Sequence, residues 1–294
     1  MAQLESKLLE IDIEPGAVSE ISPLLRRVTA PNPSVMTGPG TNAYIVGRQE
    51  LAVIDPGPSI SSHVSAMLEA CEGAQLRWII VTHTHPDHSP AAMLLAEATG
   101  AELVGATIEN DGHQDTSFKA DKELNDGDVF ANDEFRLRAV HTPGHVGNHY
   151  CFFLEEEKTL FTGDHIMQGT TVVVIPPSGD MAEYLHSLEK LKVLHAEKLA
   201  PAHGHVMLEP NSVIQGLIDH RLAREAKVLA AFEQHGSGNL DQLLPLVYDD
   251  VDPKVLPVAK IALWSHLLKL ETDGRATKQV GDSIEQEIWS LVGA

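Results

Sequence analysis

Three histidines and one aspartate lie close together in residues 82–88 of the chain, directly after an apolar run. They are His83, His85, Asp87 and His88. Imidazole and carboxylate ligands favour Zn²⁺, with iron or manganese as alternatives. Side chains at alternate positions of an extended segment point the same way, so His83 and His85 can share one ion. Asp87 and His88 follow a proline, face elsewhere and suit a second ion.

Three further candidate ligands lie at turns later in the chain. His145, Asp164 and His203 each follow a short apolar run and have a glycine beside them. Glycine lets the backbone approach a site closely. We predict that Asp164 bridges the two ions. The other predicted ligands are His83, His85 and His145 for one ion, and Asp87, His88 and His203 for the other.

Two cations, about 3.5–4 Å apart in typical two-metal sites, would activate water for hydrolysis. The bridging water loses a proton near neutral pH, and the resulting hydroxide attacks a carbonyl or phosphoryl group that one ion polarises. We predict two Zn²⁺ per chain, with iron or manganese as alternatives. Asp87 is also predicted to act as the acid/base that takes up the proton after attack.

The elements that must position these residues alternate between strands and helices up to about residue 208. Residues 51–54 and 78–81 are predicted to be buried strands, and residues 62–71 have helical spacing. Ser89 is predicted to cap a helix that has Pro90 in its first turn and Gly100 just beyond its end. From residue 135 the apolar period becomes two, which predicts hairpins. This combination favours an α/β sandwich with helices on its outer faces.

A change of pattern after residue 235 predicts a second, smaller domain. Residues 211–235 are predicted to form a connecting helix. Residues 236–294 carry two helical patterns followed by a short extended piece, which favours a helical or winged-helix-like domain. This segment has nine acidic and five basic residues, a balance that opposes a DNA-reading role.

Composition limits the partners that the chain can attract. The 294 residues carry a formal charge of −21, which disfavours nucleic acid and anionic lipid surfaces. Cys71 and Cys151 are predicted to be reduced, buried thiols. No apolar run approaches the roughly 18 residues of a membrane span, and the first residues do not resemble a secretion signal. We therefore predict a cytoplasmic protein with no membrane contact.

The order of these motifs resembles the metallo-β-lactamase superfamily. The segment HxHxDH, a later GH, a later GD and a final HG all occur in sequence, and Asp55 in the segment IDPG matches a first motif of that family. The resemblance covers about residues 20–210. It implies an αββα sandwich with a dinuclear zinc site, and the predicted domains are residues 1–210 (catalytic), 211–235 (connecting helix) and 236–294 (winged-helix-like). We interpret Asp55 as the acceptor of a hydrogen bond that fixes the tautomer of a ligand imidazole.

Within the superfamily, residues 32–46 and the segment GHVGNH at residues 144–149 resemble the branch of β-lactamase-like protein 2. That branch ends in a winged-helix-like domain, and its animal member is an endoribonuclease. Related branches are thioesterases and glyoxalase II, the hydroxyacylglutathione hydrolase. The chain departs from the branch at Ser89 and Pro90, where Ser-Gly-Gly is commoner.

Secreted antibiotic-destroying lactamases are disfavoured, because they generally carry a signal peptide and lack the bridging aspartate. Di-iron flavoprotein reductases are disfavoured because they have a glutamate where His85 stands.

The leading prediction is a hydrolase that uses a metal-bridging hydroxide on a small acyl substrate, an ester, thioester or lactone. The alternatives are an endoribonuclease acting on single-stranded RNA and a non-catalytic metal-binding or regulatory module. His149 is interpreted either as a hydrogen-bond donor to substrate or as a structural residue. The apolar residues 170–175 are predicted to form a pocket wall or a contact in a homodimer.

Overall fold

The first of two large β-sheets is built from the N-terminal part of the chain. The computed structural model describes residues 6–293. Seven strands form this sheet in sequence order, antiparallel from β1 to β4 and parallel from β4 to β7. The elements are β1 (Val18–Ser22), β2 (Leu25–Thr29), β3 (Asn42–Val46), β4 (Glu50–Ile54), α1 (Ser61–Ala70), β5 (Gln75–Ile80), α2 (Ala91–Thr99), β6 (Glu102–Gly105) and β7 (Lys122–Glu123).

The second large sheet has six strands in the order β13-β12-β11-β10-β9-β8. Its neighbouring strands are antiparallel except β11 and β12, which are parallel because helix α3 crosses between them. The elements are β8 (Val129–Ala131), β9 (Arg136–His141), β10 (Tyr150–Leu154), β11 (Thr159–Gly163), α3 (Met181–Lys192), β12 (Lys198–Pro201) and β13 (Met207–Leu208).

The two sheets pack face to face and bury a core between them. Side chains from both sheets share this core, among them Tyr44, Trp78, Phe135, Phe152 and Phe161. The alternation of side chains along each strand sends the other set outward. On the first sheet that outer set packs under α1 and α2, and on the second sheet it packs under α3 and the helix that follows β13. The predicted αββα sandwich is therefore confirmed.

A long helix then leads into a small C-terminal domain. The elements are α4 (Pro210–His235), β14 (Ser237–Gly238), α5 (Leu240–Val247), α6 (Leu256–Thr272), β15 (Ala276–Gln279) and β16 (Ile288–Leu291). The last turns of α4 pack with α5, α6 and the fully buried Trp289 in a separate apolar core. The three short strands form an antiparallel sheet in the order β14-β16-β15. Helices followed by a short hairpin match the predicted winged-helix-like arrangement.

The predicted cap of the helix after residue 88 is wrong. Helix α2 begins at Ala91, no side chain caps it, and the hydroxyl of Ser89 donates instead to Asp115 at 2.7 Å. The amide of Ala91 donates to the carbonyl of Gly57 and the amide of Ala92 to the carbonyl of Ser89, so these first amides bond backbone oxygens rather than the Ser89 hydroxyl. The predicted end is observed, because Gly100 closes the helix in the left-handed conformation with φ of 73°.

Other features of the fold agree with the composition. Cys71 and Cys151 are both free and buried. Across residues 6–293, no helix combines the length and apolar character that crossing a bilayer requires. In the apolar segment of residues 170–175, Val172 and Val174 are buried in the core beneath α3 and α4. Two of the six residues of that segment therefore belong to the internal packing of the chain.

Candidate metal centre

All seven predicted ligands converge at one edge of the sandwich. Each lies on a loop at the end of a strand, and both sheets contribute. The loop after β5 carries His83, His85, Asp87 and His88, the loop between β9 and β10 carries His145, and the loops after β11 and β12 carry Asp164 and His203. Within each of the two groups that they form, the candidate ligand atoms lie within 4.8 Å of one another.

The first group contains three imidazoles, whose ring nitrogens meet, and the carboxylate of Asp164. Nε2 of His83 lies 2.9 Å from Nδ1 of His85, and Nε2 of His145 lies 3.1 Å from the same Nδ1. A neutral imidazole has one donor and one acceptor nitrogen, so three nitrogens at such distances cannot all be satisfied by hydrogen bonds to each other. A shared cation would satisfy all three at once. We call these three histidines the first cluster.

The second cluster consists of Asp87, His88 and His203. Nε2 of His203 lies 3.3 Å from Oδ2 of Asp87, and Nε2 of His88 lies 3.6 Å from the same oxygen. The hydroxyl of Thr41 donates to Oδ2 of Asp87 at 3.1 Å and so helps to hold the carboxylate in place. The sequence alone did not single out Thr41, because it lies on a different loop, 46 residues before Asp87.

Asp164 lies between the two clusters. Its Oδ1 is 3.1 Å from Nε2 of His203 and 3.5 Å from Nε2 of His88. Its Oδ2 is 3.8 Å from Nε2 of His145 in the first cluster. One carboxylate oxygen therefore faces each group of ligands, which is the arrangement that a bridging carboxylate needs.

Two atoms at this centre support its use as a metal site. Nε2 of His88 and Oδ1 of Asp164 are buried, yet neither makes a well-oriented hydrogen bond to any residue in the range 6–293. Buried polar atoms are nearly always satisfied, and leaving one unpaired costs about 1–3 kcal/mol. A cation held by these ligands would satisfy both atoms. The donor set of imidazoles and carboxylates fits Zn²⁺, iron or manganese.

Burial keeps the first cluster uncharged. Loss of solvent, together with the nearby His145, lowers the pKa of His85 to about 3. Burial also places the pKa of His83 well below its ordinary value and lowers that of His145. These imidazoles are therefore neutral at physiological pH, and a neutral imidazole is the form that binds a metal.

The second cluster has the opposite electrostatic character. Burial alone would lower the pKa of His203, but the carboxylate of Asp164 raises it to about 9. Asp87 and Asp164 likewise outweigh burial at His88 and raise its pKa well above the ordinary value. Burial opposes the charge of Asp87, yet the adjacent His88 holds the pKa of that carboxyl at about 2. Without a cation, this cluster therefore binds protons in the place where a metal would bind.

Asp55 contacts the ring of His88 at Nδ1, the nitrogen that does not face the second cluster. Nδ1 of His88 lies 2.9 Å from Oδ2 of Asp55, and the backbone amide and hydroxyl of Thr82 donate to the two oxygens of that carboxylate at 2.7 and 2.8 Å. Asp55 has a positive φ of 50°, an uncommon conformation for a residue with a side chain. Its neighbours in the fold thus hold Asp55 in a position that leaves Nε2 of His88 facing the second cluster.

The ring of His145 is held by a backbone group. Its Nδ1 lies 2.6 Å from the carbonyl oxygen of Val173, which accepts the hydrogen bond if Nδ1 carries the proton. That tautomer leaves Nε2 free to bind a cation in the first cluster. No residue type in the sequence marks this contact, since any amino acid at position 173 supplies a carbonyl.

His149 lies beside the centre but is fully buried. Its Nδ1 is 2.9 Å from the hydroxyl of Thr142, and its Nε2 accepts from the backbone amide of Asp164 at 3.3 Å. Gly163 has φ of +47°, and a β-carbon there would lie 2.6 Å from Nε2 of His149. Both ring nitrogens therefore contact protein groups, which suits a role in positioning Asp164 better than contact with substrate.

Comparison with known proteins agrees with the geometry. The family model described as the metallo-beta-lactamase superfamily matches residues 36–203, and the model of the beta-lactamase associated winged helix domain matches residues 240–289. A beta-lactamase-like protein 2 homolog from Drosophila melanogaster is 31% identical over 289 residues, which cover 93% of this chain and 96% of that protein. An atrochrysone carboxyl ACP thioesterase from Cryptosporiopsis sp. (strain 8999) is 30% identical over 295 residues, which cover 94% of this chain and 88% of the relative.

The overall architecture also has a solved counterpart. A beta-lactamase domain protein from Burkholderia ambifaria superposes with a TM-score of 0.80 at 19% identity, over 96% of this chain and 95% of that one. At this identity the likeness concerns the fold alone. The family match over more than half of the chain, with both candidate ligand clusters complete, shows that the chain belongs to the metallo-β-lactamase superfamily and is a metal-dependent hydrolase.

Proposed function

We propose that the chain is a dinuclear zinc hydrolase that cleaves a small acyl substrate, an ester, thioester or lactone. The observation that carries this proposal is the position of Asp164. Its two carboxylate oxygens face different ligand clusters. The imidazoles of the first cluster are neutral, and those of the second carry protons that a cation would displace. A site for one ion would need only one of these groups.

Bound divalent cations supply the activation of water and the polarisation of the acyl carbonyl. The chain's own residues orient the reactants and handle the proton. The carboxylate of Asp87 is the proposed proton acceptor, because its low pKa keeps it ionised and 28% of its side chain is exposed, while its Oδ2 faces His203 at 3.3 Å. The hydroxyl of Thr41 donates to the same oxygen and fixes its direction.

The loops around the centre support a substrate that is not a polyanion. Residues 31–41, 107–118 and 168–180 contact the ligand-bearing segments through Thr41, Gln114 and Val173. These three loops contain no lysine or arginine, and they carry four acidic residues. Recognition of several phosphates requires basic groups. The thioesterase name of one relative with near full-length similarity supports an acyl thioester in particular.

RNA is the second candidate substrate. Its support is the similarity to the beta-lactamase-like protein 2 homolog, which extends over 93% of the chain and so includes the C-terminal domain. The charge of −21 and the acidic loops oppose it. A non-catalytic metal-binding or regulatory role is the third candidate, and the completeness of both ligand clusters argues against it.

The decisive experiment measures metal content and substrate choice in one preparation. We expect the purified protein to bind about two zinc ions per chain and to hydrolyse a short acyl thioester. A chelator should abolish this activity, and added Zn²⁺ should restore it. A short labelled single-stranded RNA should remain intact under the same conditions.

A pair of variants separates the metal centre from general effects of charge. Asp164→Asn removes the charge between the clusters, and we expect it to bind fewer ions and to lose at least about 100-fold in activity. Asp133→Asn, at an exposed position, should behave as wild type. Binding of less than one ion, with activity that ignores chelators, would refute the dinuclear proposal. Cleavage of RNA with no thioester turnover would favour the second candidate instead.

A further inference from the structure

A buried arginine of helix α4 contacts the loop that holds the first cluster. The side chain of Arg221 is almost fully buried, with 4% of its surface exposed. One terminal guanidinium nitrogen donates to the carbonyl oxygen of Val172 at 2.5 Å. The guanidinium also lies 5.3 Å from the centre of the Tyr184 ring on α3. A charged donor to a buried carbonyl makes one of the stronger hydrogen bonds in proteins.

The next carbonyl along that loop belongs to the metal centre. Val173 follows Val172, and its carbonyl oxygen contacts Nδ1 of His145 at 2.6 Å. Two successive carbonyls are therefore held from different directions, one by α4 and the other by a ligand of the first cluster. The side chains of Val172 and Val174 are buried in the core on both sides of this point.

We propose that Arg221 is a positioning residue for the metal centre, which fixes the Val172–Val173 backbone so that the Val173 carbonyl orients the imidazole of His145 toward the first cluster. This inference rests on the proposed function to the extent that the first cluster must hold a metal ion. Within residues 6–293, the guanidinium of Arg221 hydrogen-bonds to the carbonyl of Val172 and not to a ligand side chain.

The same helix also anchors the C-terminal domain. Arg224, one turn further along α4, donates to the carbonyl of Val247 at 2.5 Å and to Asp250 at 2.8 Å. The carboxylate of Glu225 accepts from Lys269 and Arg275, each at 2.8 Å. Helix α4 thus connects the metal centre with α5, α6 and the small sheet.

The test compares two arginines of one helix. Arg221→Met keeps the apolar stem but removes the bond to Val172, whereas Arg224→Met removes an equally short bond to the carbonyl of Val247. Zinc affinities are measured by competition with a chromophoric chelator, with His145→Ala and His203→Ala as references that assign the two binding steps. We expect Arg221→Met to weaken the step that His145→Ala removes by about tenfold or more, since partners that orient metal ligands have effects of this size. Arg224→Met should leave it unchanged.

A spectroscopic signal provides a second readout that does not depend on activity. In protein with ¹⁵N-labelled histidine, the proton on Nδ1 of His145 should give a resonance that is absent from His145→Ala. We expect that resonance to shift or to exchange faster with water in Arg221→Met, and to persist in Arg224→Met. Arg221→Lys keeps a charge and a donor, so it should recover part of the zinc affinity.

Unchanged zinc affinity and an unchanged His145 resonance in Arg221→Met would overturn the inference, as would equal losses in Arg221→Met and Arg224→Met. Should Arg221→Met fail to fold, Arg221→Gln replaces it, since the amide is polar enough for the buried position but too short to reach Val172. The same loss of affinity is expected. Failure of the proposed function is distinct, because wild-type protein would then bind no zinc at the first cluster.

Discussion

Oδ2 of Asp55 and Nδ1 of His88 lie 2.9 Å apart, and both side chains are sealed from solvent. The carboxylate fixes which nitrogen of the imidazole carries the proton, so that Nε2 stays available at the second cluster. The same carboxylate accepts from the backbone amide of Thr82, at the point where β5 passes into the ligand loop. Asp55 therefore orients both a ligand and the segment that carries it.

This relationship makes Asp55→Asn an informative substitution. An amide group in place of Oδ2 cannot accept from His88 or from the hydroxyl of Thr82, although the side chain keeps its shape. We expect the zinc affinity of the second cluster to fall by about 10- to 100-fold. Chelator competition measures this effect. Asp126→Asn is the control, because Asp126 also accepts from a backbone amide but lies exposed on the surface. Equal affinities for wild type and Asp55→Asn would contradict the assigned role.

The sequence predicted the ligand set because metal chemistry restricts residue types. Histidines and aspartates placed just after apolar strands leave few arrangements, and the seven predicted side chains do meet at one edge of the fold. The sandwich was predictable for a similar reason, since apolar periods of two and of three to four residues identify strands and helices. The sequence predicted that Asp164 bridges the two ions, but only the structure gives the distance from its carboxylate to each cluster.

Other parts of the site could not be predicted, and the reason is physical. The hydrogen bond from His145 to Val173 uses a backbone carbonyl, which every residue possesses. Arg221 reaches the loop from a helix 49 positions later in the chain, so no local pattern indicates the contact. The cap predicted at Ser89 failed because its hydroxyl donates to Asp115, 26 positions later in the chain, and the amide of Ala91 donates to the carbonyl of Gly57.

Metal binding at the two clusters should depend on pH in different ways. In the metal-free protein, the pKa of about 9 keeps His203 protonated at pH 7, so a cation must displace at least one proton. Because the pKa of His88 is raised as well, the affinity of the second cluster should fall by at least about tenfold for each unit of pH below 9. The pKa of about 3 keeps His85 neutral, so the affinity of the first cluster should stay nearly constant between pH 6 and 8. Zinc titrations at pH 6, 7 and 8 measure both slopes.

Proton release gives an independent check of that prediction. Calorimetric titrations of zinc in two buffers with different ionisation enthalpies report how many protons leave the protein on binding. We expect release during the step that His203→Ala removes and little release during the step that His145→Ala removes. Equal release in both steps would show that the charge of the second cluster differs from the one described.

The C-terminal domain depends on a buried carboxylate of α4. Glu225 lies between Lys269 and Arg275, and its side chain is 6% exposed. Glu225→Gln leaves the partly buried ammonium of Lys269 with Asp273 as its remaining partner. Breaking a buried ion pair by removing one partner costs about 3–5 kcal/mol, and the retained Asp273 places the expected loss near the lower figure. Urea denaturation measures the change. Glu197→Gln removes an exposed pair with Lys158 and should give no measurable effect.

Gly163 should be the glycine that the centre tolerates least in exchange for alanine. Its φ of +47° disfavours any side chain, and the new β-carbon would lie 2.6 Å from both Nε2 of His149 and the hydroxyl of Thr82. The side chains of His149 and Thr82 are buried, so we expect relief of the clash to displace the adjacent Asp164. We expect Gly163→Ala to destabilise the protein by about 1–3 kcal/mol and to reduce zinc binding. Gly73 provides the matched control, since its φ of +80° is equally unfavourable but no heavy atom lies within 4 Å of the added carbon. Gly73→Ala should therefore lose some stability yet bind zinc as wild type, and loss of zinc in both variants would refute this explanation.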